Sequence, residues 1–217
     1  MRDVPTGRSA ASLDKVIVEF DRALRTLSGV SPSLRDMPGQ ELEEADLPGV
    51  QRRHVAALMR VNHTGEICAQ ALYSGQLLTA RSEDAREVLE RAGDEEAEHL
   101  AWTASRVESL GGRLSALNPV FYAGAFAIGA ASGLLGDRWS MGFLAETEKQ
   151  VEAHLDGHLE SLPPVDQKSR AVVEKMKDDE MRHAASATAR GATDLPAPVK
   201  CLMKLAARVM TLTAYRL

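Results

Sequence analysis

The chain has 217 residues, enough for one domain with a sizeable core. Its hydrophobic content of 44% excludes an intrinsically disordered protein. Acidic residues outnumber basic ones by 31 to 26, so the chain lacks the overall basic charge of a dedicated nucleic-acid binder, and no nucleic-acid partner is expected.

The amino-acid composition favours helices and a reducing environment. Aromatic residues make up only 4% of the chain, and Ala, Leu, Glu and Arg are abundant, which is typical of helical proteins. The two cysteines, Cys68 and Cys201, are far apart in sequence, which argues against a disulfide framework or a cysteine-based zinc site. The opening segment contains no apolar run, so no secretory signal is expected there.

The N-terminal half shows three helical patterns and one loop. Apolar residues recur at helical spacing over residues 12–28, and Gly29 ends this pattern. Residues 31–49 are rich in Pro, Gly and acidic residues, and we predict a solvated linker there. Longer helical patterns follow at about 50–80 and 83–110, and two adjacent glycines close the second.

The middle of the chain contains an uncharged segment, residues 114–136. It is long enough to raise the question of a membrane span, but Pro119 and four glycines interrupt it, and we do not expect it to cross a bilayer. Its small residues fit a helix packed closely against a neighbouring helix or against a lipid tail. Two more helical patterns run over about residues 139–161 and 165–190.

The C-terminal residues 198–217 are predicted to form an amphipathic helix. Lys200, Lys204 and Arg208 recur at four-residue spacing among apolar residues. Such a helix either lies in a membrane interface, with its cations at the lipid headgroups, or docks on the bundle with a solvated basic stripe. The residue pattern alone leaves both interpretations open.

Two segments contain a Glu-x-x-His motif, at Glu96 to His99 and at Glu180 to His183. On a helix this spacing puts the carboxylate and the imidazole on one face, where both can bind the same metal ion. The helical faces that carry the motifs are otherwise mainly apolar, so both pairs are predicted to point inward. Glu95, by contrast, shares its face with charged residues and is expected to face solvent.

Each motif has a candidate partner carboxylate upstream. Glu148 lies on an otherwise apolar helical face, where an ionised carboxylate is costly without a cation or other partner. Glu66 precedes Glu96 by about the same distance as Glu148 precedes Glu180, so the two halves of the chain repeat one another. Such a set of four glutamates and two histidines is typical of a carboxylate-bridged di-iron or di-manganese site. A helix bundle with buried ion pairs is the alternative.

Two further histidines lie near these residues in sequence. His63 precedes Glu66 in the reverse of the ligand order, and it is interpreted either as a group that supports a ligand or as a structural group. His154 lies on the predicted helix of Glu148. It is either a proton relay near the site or an ordinary histidine of the polar face.

The motifs together resemble the demethoxyubiquinone hydroxylase family, the ferritin-like di-iron monooxygenases of ubiquinone biosynthesis. The resemblance covers nearly the whole chain. It rests on these segments: RVNHTGE with YSGQ downstream, EEAEH, FAIGAASGLLGD, ETEKQVEAHLDGHLESLP, DDEMRH, LPAPVK and VMTLTAYRL.

The resemblance implies two iron ions per chain, held by six ligands. Glu66, Glu96 and His99 would hold one iron, Glu148, Glu180 and His183 would hold the other, and Glu96 and Glu180 would bridge the two. The chain departs from the family pattern at Asn62, Thr64 and Leu155, where the family usually has Asp, Ala and Tyr. These departures leave the ligands unchanged, and no supporting role is carried over from the family to the three replaced positions.

The fold implied by the resemblance is an all-α, ferritin-like four-helix bundle with additional membrane-associating helices, formed by residues 1–217 as one di-iron hydroxylase domain. The implied reaction is the dioxygen-dependent hydroxylation of a polyprenylated methoxy-methyl-benzoquinol ring. The implied location is peripheral, on the cytoplasmic face of a bacterial inner membrane, with an accessory lipid-presenting protein and oligomerisation left open. The alternatives are a ferritin-like iron oxidase or storage protein and a metal-free, membrane-associated helical scaffold.

Overall fold

The computed structural model describes residues 7–29 and 34–217, and these residues form seven α-helices and no strand. The helices are α1 (Gly7–Ser28), α2 (Gly49–Thr79), α3 (Glu83–Ser109), α4 (Asn118–Leu134), α5 (Asp137–Ser161), α6 (Gln167–Ala189) and α7 (Ala197–Arg216). The all-α prediction is confirmed. The first helix begins earlier than its apolar pattern, and residues 31–33 of the predicted linker lie outside the described residues.

Two helical hairpins, α2–α3 and α5–α6, form the four-helix bundle around the core. Short connections join the helices of each hairpin, so each pair is antiparallel. The side chain of Ser82 accepts a hydrogen bond from the Ala85 amide (3.2 Å) and caps α3. Asp166 caps α6 in the same way through the Ser169 amide (3.1 Å). These caps satisfy amides that a helix leaves unpaired at its first turn, and they fix where the second helix of each hairpin begins.

Helix α4 connects the two hairpins and lies against α2 in very close contact. A Cβ atom placed on Gly129 would overlap the Leu72 carbonyl oxygen, and one placed on Gly75 would overlap the Phe126 carbonyl oxygen. Only glycine permits this approach of two helix backbones. The small residues of the uncharged segment therefore serve helix packing, as one of the two sequence interpretations predicted.

Helices α1 and α7 flank the bundle and expose apolar side chains. Helix α1 packs on α2, and α7 packs on α2 and α5. On α7, Leu202, Leu205 and Val209 are each more than half exposed, although the helix is docked on the bundle. None of the helices in the described part of the chain combines the length and apolarity needed to span a membrane.

Residues 34–47, here named the N-terminal strap, lie on the bundle without forming a helix or strand. Leu47 is buried among apolar side chains. The carboxylate of Glu44 accepts two hydrogen bonds from the buried Arg106 of α3, at 2.9 and 3.0 Å. This part of the predicted linker is therefore anchored on the bundle, although several of its acidic side chains face solvent as expected.

Candidate metal centre

The four helices of the bundle bring together the six residues singled out from the sequence. Helix α2 carries Glu66, α3 carries Glu96 and His99, α5 carries Glu148, and α6 carries Glu180 and His183. All six are buried, and they form two groups whose ligand atoms lie within 4.8 Å of one another. The first group is Glu66, Glu96, His99 and Glu180, and the second is Glu96, Glu148, Glu180 and His183. Glu96 and Glu180 belong to both groups, as expected of bridging carboxylates.

Both imidazole rings turn the Nδ1 atom toward the glutamates. His99 Nδ1 lies 2.9 Å from Glu96 Oε2 and 3.4 Å from Glu180 Oε1. His183 Nδ1 lies 3.3 Å from Glu96 Oε1 and 3.5 Å from Glu180 Oε2. Each bridging candidate thus contacts both histidines, and each histidine offers the ring nitrogen that faces the cluster as a metal ligand.

The opposite ring nitrogen of each histidine meets a carboxylate that the sequence analysis did not assign. His99 Nε2 lies 3.1 Å from Asp179 Oδ2, and His183 Nε2 lies 3.2 Å from Glu95 Oε2. A carboxylate at Nε2 holds the proton there and leaves the Nδ1 lone pair for a metal, as in many metal sites. Glu95 was expected to face solvent, but this prediction is wrong, because its side chain is only 20% exposed.

Asp179 and Glu95 occupy equivalent positions, each directly before the glutamate of a Glu-x-x-His motif. Each reaches across to the histidine of the other motif, so α3 and α6 exchange contacts in a reciprocal way. The signal in the sequence was an acidic residue in the same place before both motifs. The position of Glu95 or Asp179 around its own helix does not reveal the contact, because it carries no information about the neighbouring helix.

The electrostatics of the cluster show a demand for positive charge. Burial and the nearby Glu96 and Glu180 carboxylates raise the pKa of Glu66 well above its ordinary value. Burial and Glu180 raise the pKa of Glu148 in the same direction. Burial also opposes ionisation of Glu96, but the adjacent His99 and His183 outweigh it and lower the pKa of this carboxyl. Without a metal, protons must therefore supply the charge that divalent cations would otherwise bring.

Several buried atoms of the cluster fit metal coordination because no hydrogen bond satisfies them in the described part of the chain. They are Glu96 Oε1, Glu148 Oε2, both carboxylate oxygens of Glu180 and His183 Nδ1. A buried polar atom without a partner is costly, and a metal ion between these atoms would be a common partner for them. Hard carboxylate oxygens with few imidazoles match iron or manganese better than copper or zinc.

Tyr73 of α2 is a further residue of the site that the sequence analysis left without a role. Its hydroxyl group is buried and donates a hydrogen bond to Glu148 Oε1. Tyr73 follows Glu66 by two helical turns, on the same face of α2. The residue at the same distance after Glu148 is Leu155, which is buried in an apolar cluster.

The two additional histidines lie outside both ligand groups. His63 is buried with its Nδ1 3.5 Å from the Asn118 side-chain nitrogen, and burial lowers its pKa to about 4. His154 pairs with His158, with 4.1 Å between the ring centroids. The relay role of His154 therefore remains a prediction.

The residues at which the chain departs from the family pattern are all buried. Thr64 donates a hydrogen bond to Asn118 Oδ1 (3.0 Å) and so ties α2 to α4. The amide group of Asn62 has no hydrogen-bond partner among the described residues. Leu155 packs in an apolar cluster with Met59 and Met176.

The fold and the site together define a class: an all-helical bundle protein of the ferritin-like type with a buried, carboxylate-rich group of side chains that could hold metal ions between its four helices. The family described as Ubiquinone biosynthesis protein COQ7 matches residues 53–214 of the chain. The chain belongs to this family, and the resemblance noted from its motifs is confirmed.

Curated relatives match nearly the full length of the chain. A 3-demethoxyubiquinol 3-hydroxylase of Aromatoleum aromaticum is 60% identical, over 94% of this chain and 100% of the relative. Proteins of the same name from Dechloromonas aromatica and Azoarcus sp. are 58% and 59% identical, over 94% of this chain and 99% and 98% of their own lengths.

Proposed function

We propose that this chain hydroxylates the ring of a polyprenylated 3-methyl-6-methoxy-1,4-benzoquinol in ubiquinone biosynthesis, with dioxygen as co-substrate. The observation that carries the proposal is the pair of buried ligand groups that share Glu96 and Glu180. This pair lies in a chain about as long as its curated relatives, which are named 3-demethoxyubiquinol 3-hydroxylase. In this proposal, residues 1–217 form one hydroxylase domain.

The proposed cofactor is a pair of iron ions. Glu66, Glu96 and His99 would hold one iron, Glu148, Glu180 and His183 the other, and Glu96 and Glu180 would bridge them. When bound and reduced, the irons supply the binding and activation of dioxygen. Asp179 and Glu95 hold the Nε2 protons of the two histidines, and Tyr73 orients Glu148.

The packing around the site excludes water. The fully buried apolar side chains include Met59, Leu89, Leu144, Val173 and Met176, which lie on all four helices of the bundle. Such surroundings strengthen the electrostatic interactions of the carboxylates and protect reactive species from side reactions. They also suit an apolar substrate, although the ring must reach the site from outside.

The proposed location is peripheral, on the cytoplasmic face of a bacterial inner membrane, because a polyprenyl substrate is a membrane lipid. The support is the exposed apolar surface of α7, with Lys204 and Arg208 on the same helix. Helices α1 and α4 also expose apolar side chains, among them Phe20 and Leu134. A lipid-presenting partner protein is compatible with the same surface.

The quinone profile of a bacterial strain that lacks its demethoxyubiquinol hydroxylase tests the activity. Expression of this chain is expected to remove the accumulated demethoxy quinone and restore ubiquinone. The variant Glu148→Ala, expressed to the same level, is the matched control and should leave the profile unchanged. Persistence of the demethoxy quinone with the soluble, iron-loaded wild-type chain would contradict the hydroxylase proposal and favour an iron oxidase or storage protein.

Iron analysis of protein purified without oxygen tests the cofactor separately. We expect two iron ions per chain after reconstitution. Less than one iron per chain, in a protein that keeps its helical content, would instead support the metal-free scaffold.

Flotation with anionic liposomes tests the membrane surface. Binding is expected to weaken in high salt and after removal of residues 198–217, because the cations of α7 would contact lipid headgroups. Substitution of Lys204 and Arg208 by Glu should weaken it without shortening the chain. Binding insensitive to all three changes would assign the contact to another part of the surface.

A further inference from the structure

The N-terminal strap precedes the residues that match the family, 53–214, and yet it contacts Glu98 and Asp179, which are neighbours in sequence of the proposed ligands His99 and Glu180. The backbone amide of Leu34 donates a hydrogen bond to Glu98 Oε1 (2.8 Å), and the amide of Arg35 donates to the same oxygen (3.2 Å). Glu98 is buried on α3, one residue before His99. The start of the strap is thus held against the helix that carries two of the proposed ligands.

The side chain of Arg35 continues from this anchor toward α6. Its guanidinium group donates a hydrogen bond to Asp179 Oδ2 (2.9 Å) and lies 4.8 Å from the centre of the Trp102 ring. A planar guanidinium can stack on an aromatic ring while it bonds a carboxylate, so both contacts fix one orientation of Arg35.

Asp179 uses its two oxygens for different partners. Lys175 and Arg182, both on α6, contact Oδ1. Oδ2 accepts from Arg35 and lies 3.1 Å from His99 Nε2. Among these three cations, therefore, only Arg35 contacts the oxygen that faces the histidine, and it fixes that oxygen in place.

The other end of the strap is fixed independently of the metal centre. Glu44 pairs with Arg106, which is 1% exposed and also contacts Ser169 of α6. Glu98, Trp102 and Arg106 follow one another at four-residue spacing on one face of α3, and all three contact the strap. The strap therefore runs along α3 and presents Arg35 from a fixed position.

We propose that Arg35 is a positioning residue for one of the two metal positions: it orients Asp179, which orients His99, so that metal affinity at the position of His99 depends on the strap. The inference rests on the proposed metal-dependent function. Among the interactions described, the strap has no direct contact with His183 or Glu95. Glu95 is paired with Arg91 and Arg182, and Arg182 contacts Asp179 at Oδ1, not at the oxygen that Arg35 bonds. Loss of Arg35 should therefore affect the two positions unequally.

Titration of the metal-free full chain with Co²⁺ under anaerobic conditions, followed by visible absorption, tests the inference. The wild-type chain is expected to bind two ions. Arg35→Ala should weaken the binding of one Co²⁺ ion about tenfold and leave the binding of the other unchanged. Tenfold is at the lower end of the range for groups that support metal ligands. Arg35→Lys should restore part of the affinity, because an ammonium group reaches the carboxylate but does not reproduce the planar contact with Trp102.

Glu44→Gln is the matched control, because it weakens the strap at the end away from the site. It should lower the melting temperature and leave both Co²⁺ affinities within about twofold of the wild type, well below the tenfold effect expected for Arg35→Ala. A lower melting temperature with unchanged affinities in Arg35→Ala would show a purely structural role and overturn the inference.

The remaining outcomes are also decisive. If Arg35→Ala does not fold, the Co²⁺ affinities of Arg35→Lys decide. Weaker binding of only one ion supports the inference, and two unchanged affinities contradict it. If the wild-type chain binds no Co²⁺ and no iron, the metal centre itself is refuted, and the inference with it.

Discussion

The α2–α3 and α5–α6 hairpins repeat one arrangement around the candidate metal centre. Each supplies a single glutamate from its first helix and a Glu-x-x-His pair from its second. The acidic residue before each pair contacts the histidine of the other hairpin. The proposed ligands are therefore duplicated, and so is the contact that orients each imidazole.

The groups around the ligands are not duplicated. Tyr73 on α2 donates a hydrogen bond to Glu148, but Leu155, at the same place on α5, cannot donate one to Glu66. Asp179 is fully buried and contacts three cations, whereas Glu95 is partly exposed. Equal ligand sets in unequal surroundings are expected to give two metal positions of different affinity.

The largest effect is expected from the shared glutamates. Glu96→Ala should abolish binding of both metal ions, because Glu96 belongs to both ligand groups and contacts both histidines. Metal analysis after reconstitution measures this. Glu90→Ala, an exposed change on the same helix, should leave the metal content unchanged. Retention of one tightly bound ion in Glu96→Ala would show that the two positions do not share this ligand.

The single glutamates should separate the two positions. Glu66→Ala and Glu148→Ala are each expected to lose one of the two ions and to keep a folded bundle, because each residue belongs to only one group. Metal content together with far-ultraviolet circular dichroism measures both properties. Undiminished content in either variant would refute the assignment of that residue as a ligand.

The outer carboxylates should show a smaller and unequal effect. Asp179→Asn is expected to weaken metal binding about 10- to 100-fold, the range typical of groups that orient a ligating histidine. Glu95→Gln should weaken metal binding less than Asp179→Asn does, since water can reach this partly exposed position and replace the lost carboxylate contact. Anaerobic Co²⁺ titration compares them, with the exposed Asp178→Asn as control. Equal losses at both positions would indicate that burial does not distinguish them.

The last prediction concerns the stability of the metal-free protein and not metal binding, and it involves two buried histidines, one in each hairpin. Burial lowers the pKa of His63 to about 4, and burial with the nearby His154 and His54 lowers that of His158 to about 3. In the unfolded chain both histidines become protonated near pH 6.5, whereas in the folded protein they stay neutral until the pH reaches their lowered pKa. The free energy of unfolding therefore falls as the pH drops below about 6.5 toward the folded-state pKa of each histidine. Over this range each histidine lowers the free energy of unfolding by about 1.4 kcal/mol per pH unit.

Urea unfolding at a series of pH values measures this slope. His63→Gln and His158→Gln should each flatten the loss of stability between about pH 6 and pH 4, relative to wild type at the same pH. An unchanged slope in both variants would mean that the histidines are already protonated in the folded protein.

Much of this arrangement could be predicted from the sequence because periodicity reports which face of a helix is buried. Helical phase correctly placed Glu96 and Glu148 inside the bundle, and the predicted helix boundaries lie within a few residues of those found, except at the start of α1. Phase describes a single helix, however. The contacts of Asp179 and Glu95 cross between helices, so the pattern that located the ligands misassigned Glu95.

The strap could not be predicted for a different reason. Residues 34–47 have no periodic pattern, and their Pro, Gly and acidic residues are typical of solvated loops. Their anchors are single contacts with residues far away in sequence, such as Arg35 with Asp179 and Glu44 with Arg106. Nothing in the local sequence indicates a partner at that separation.

The contact of Gly75 with α4 and of Gly129 with α2 has a consequence for the tolerance of the chain to mutation. At either position even a single added carbon would strike a carbonyl oxygen of the opposite helix, and neither helix can yield without moving the other. In a scan of all single substitutions, both glycines should therefore tolerate as little change as Glu96 or Glu180. At the glycines, function would be lost because the two helix backbones approach so closely, whereas at the glutamates it would be lost because metal binding fails. Measuring the metal content of the protein that still folds would distinguish the two causes.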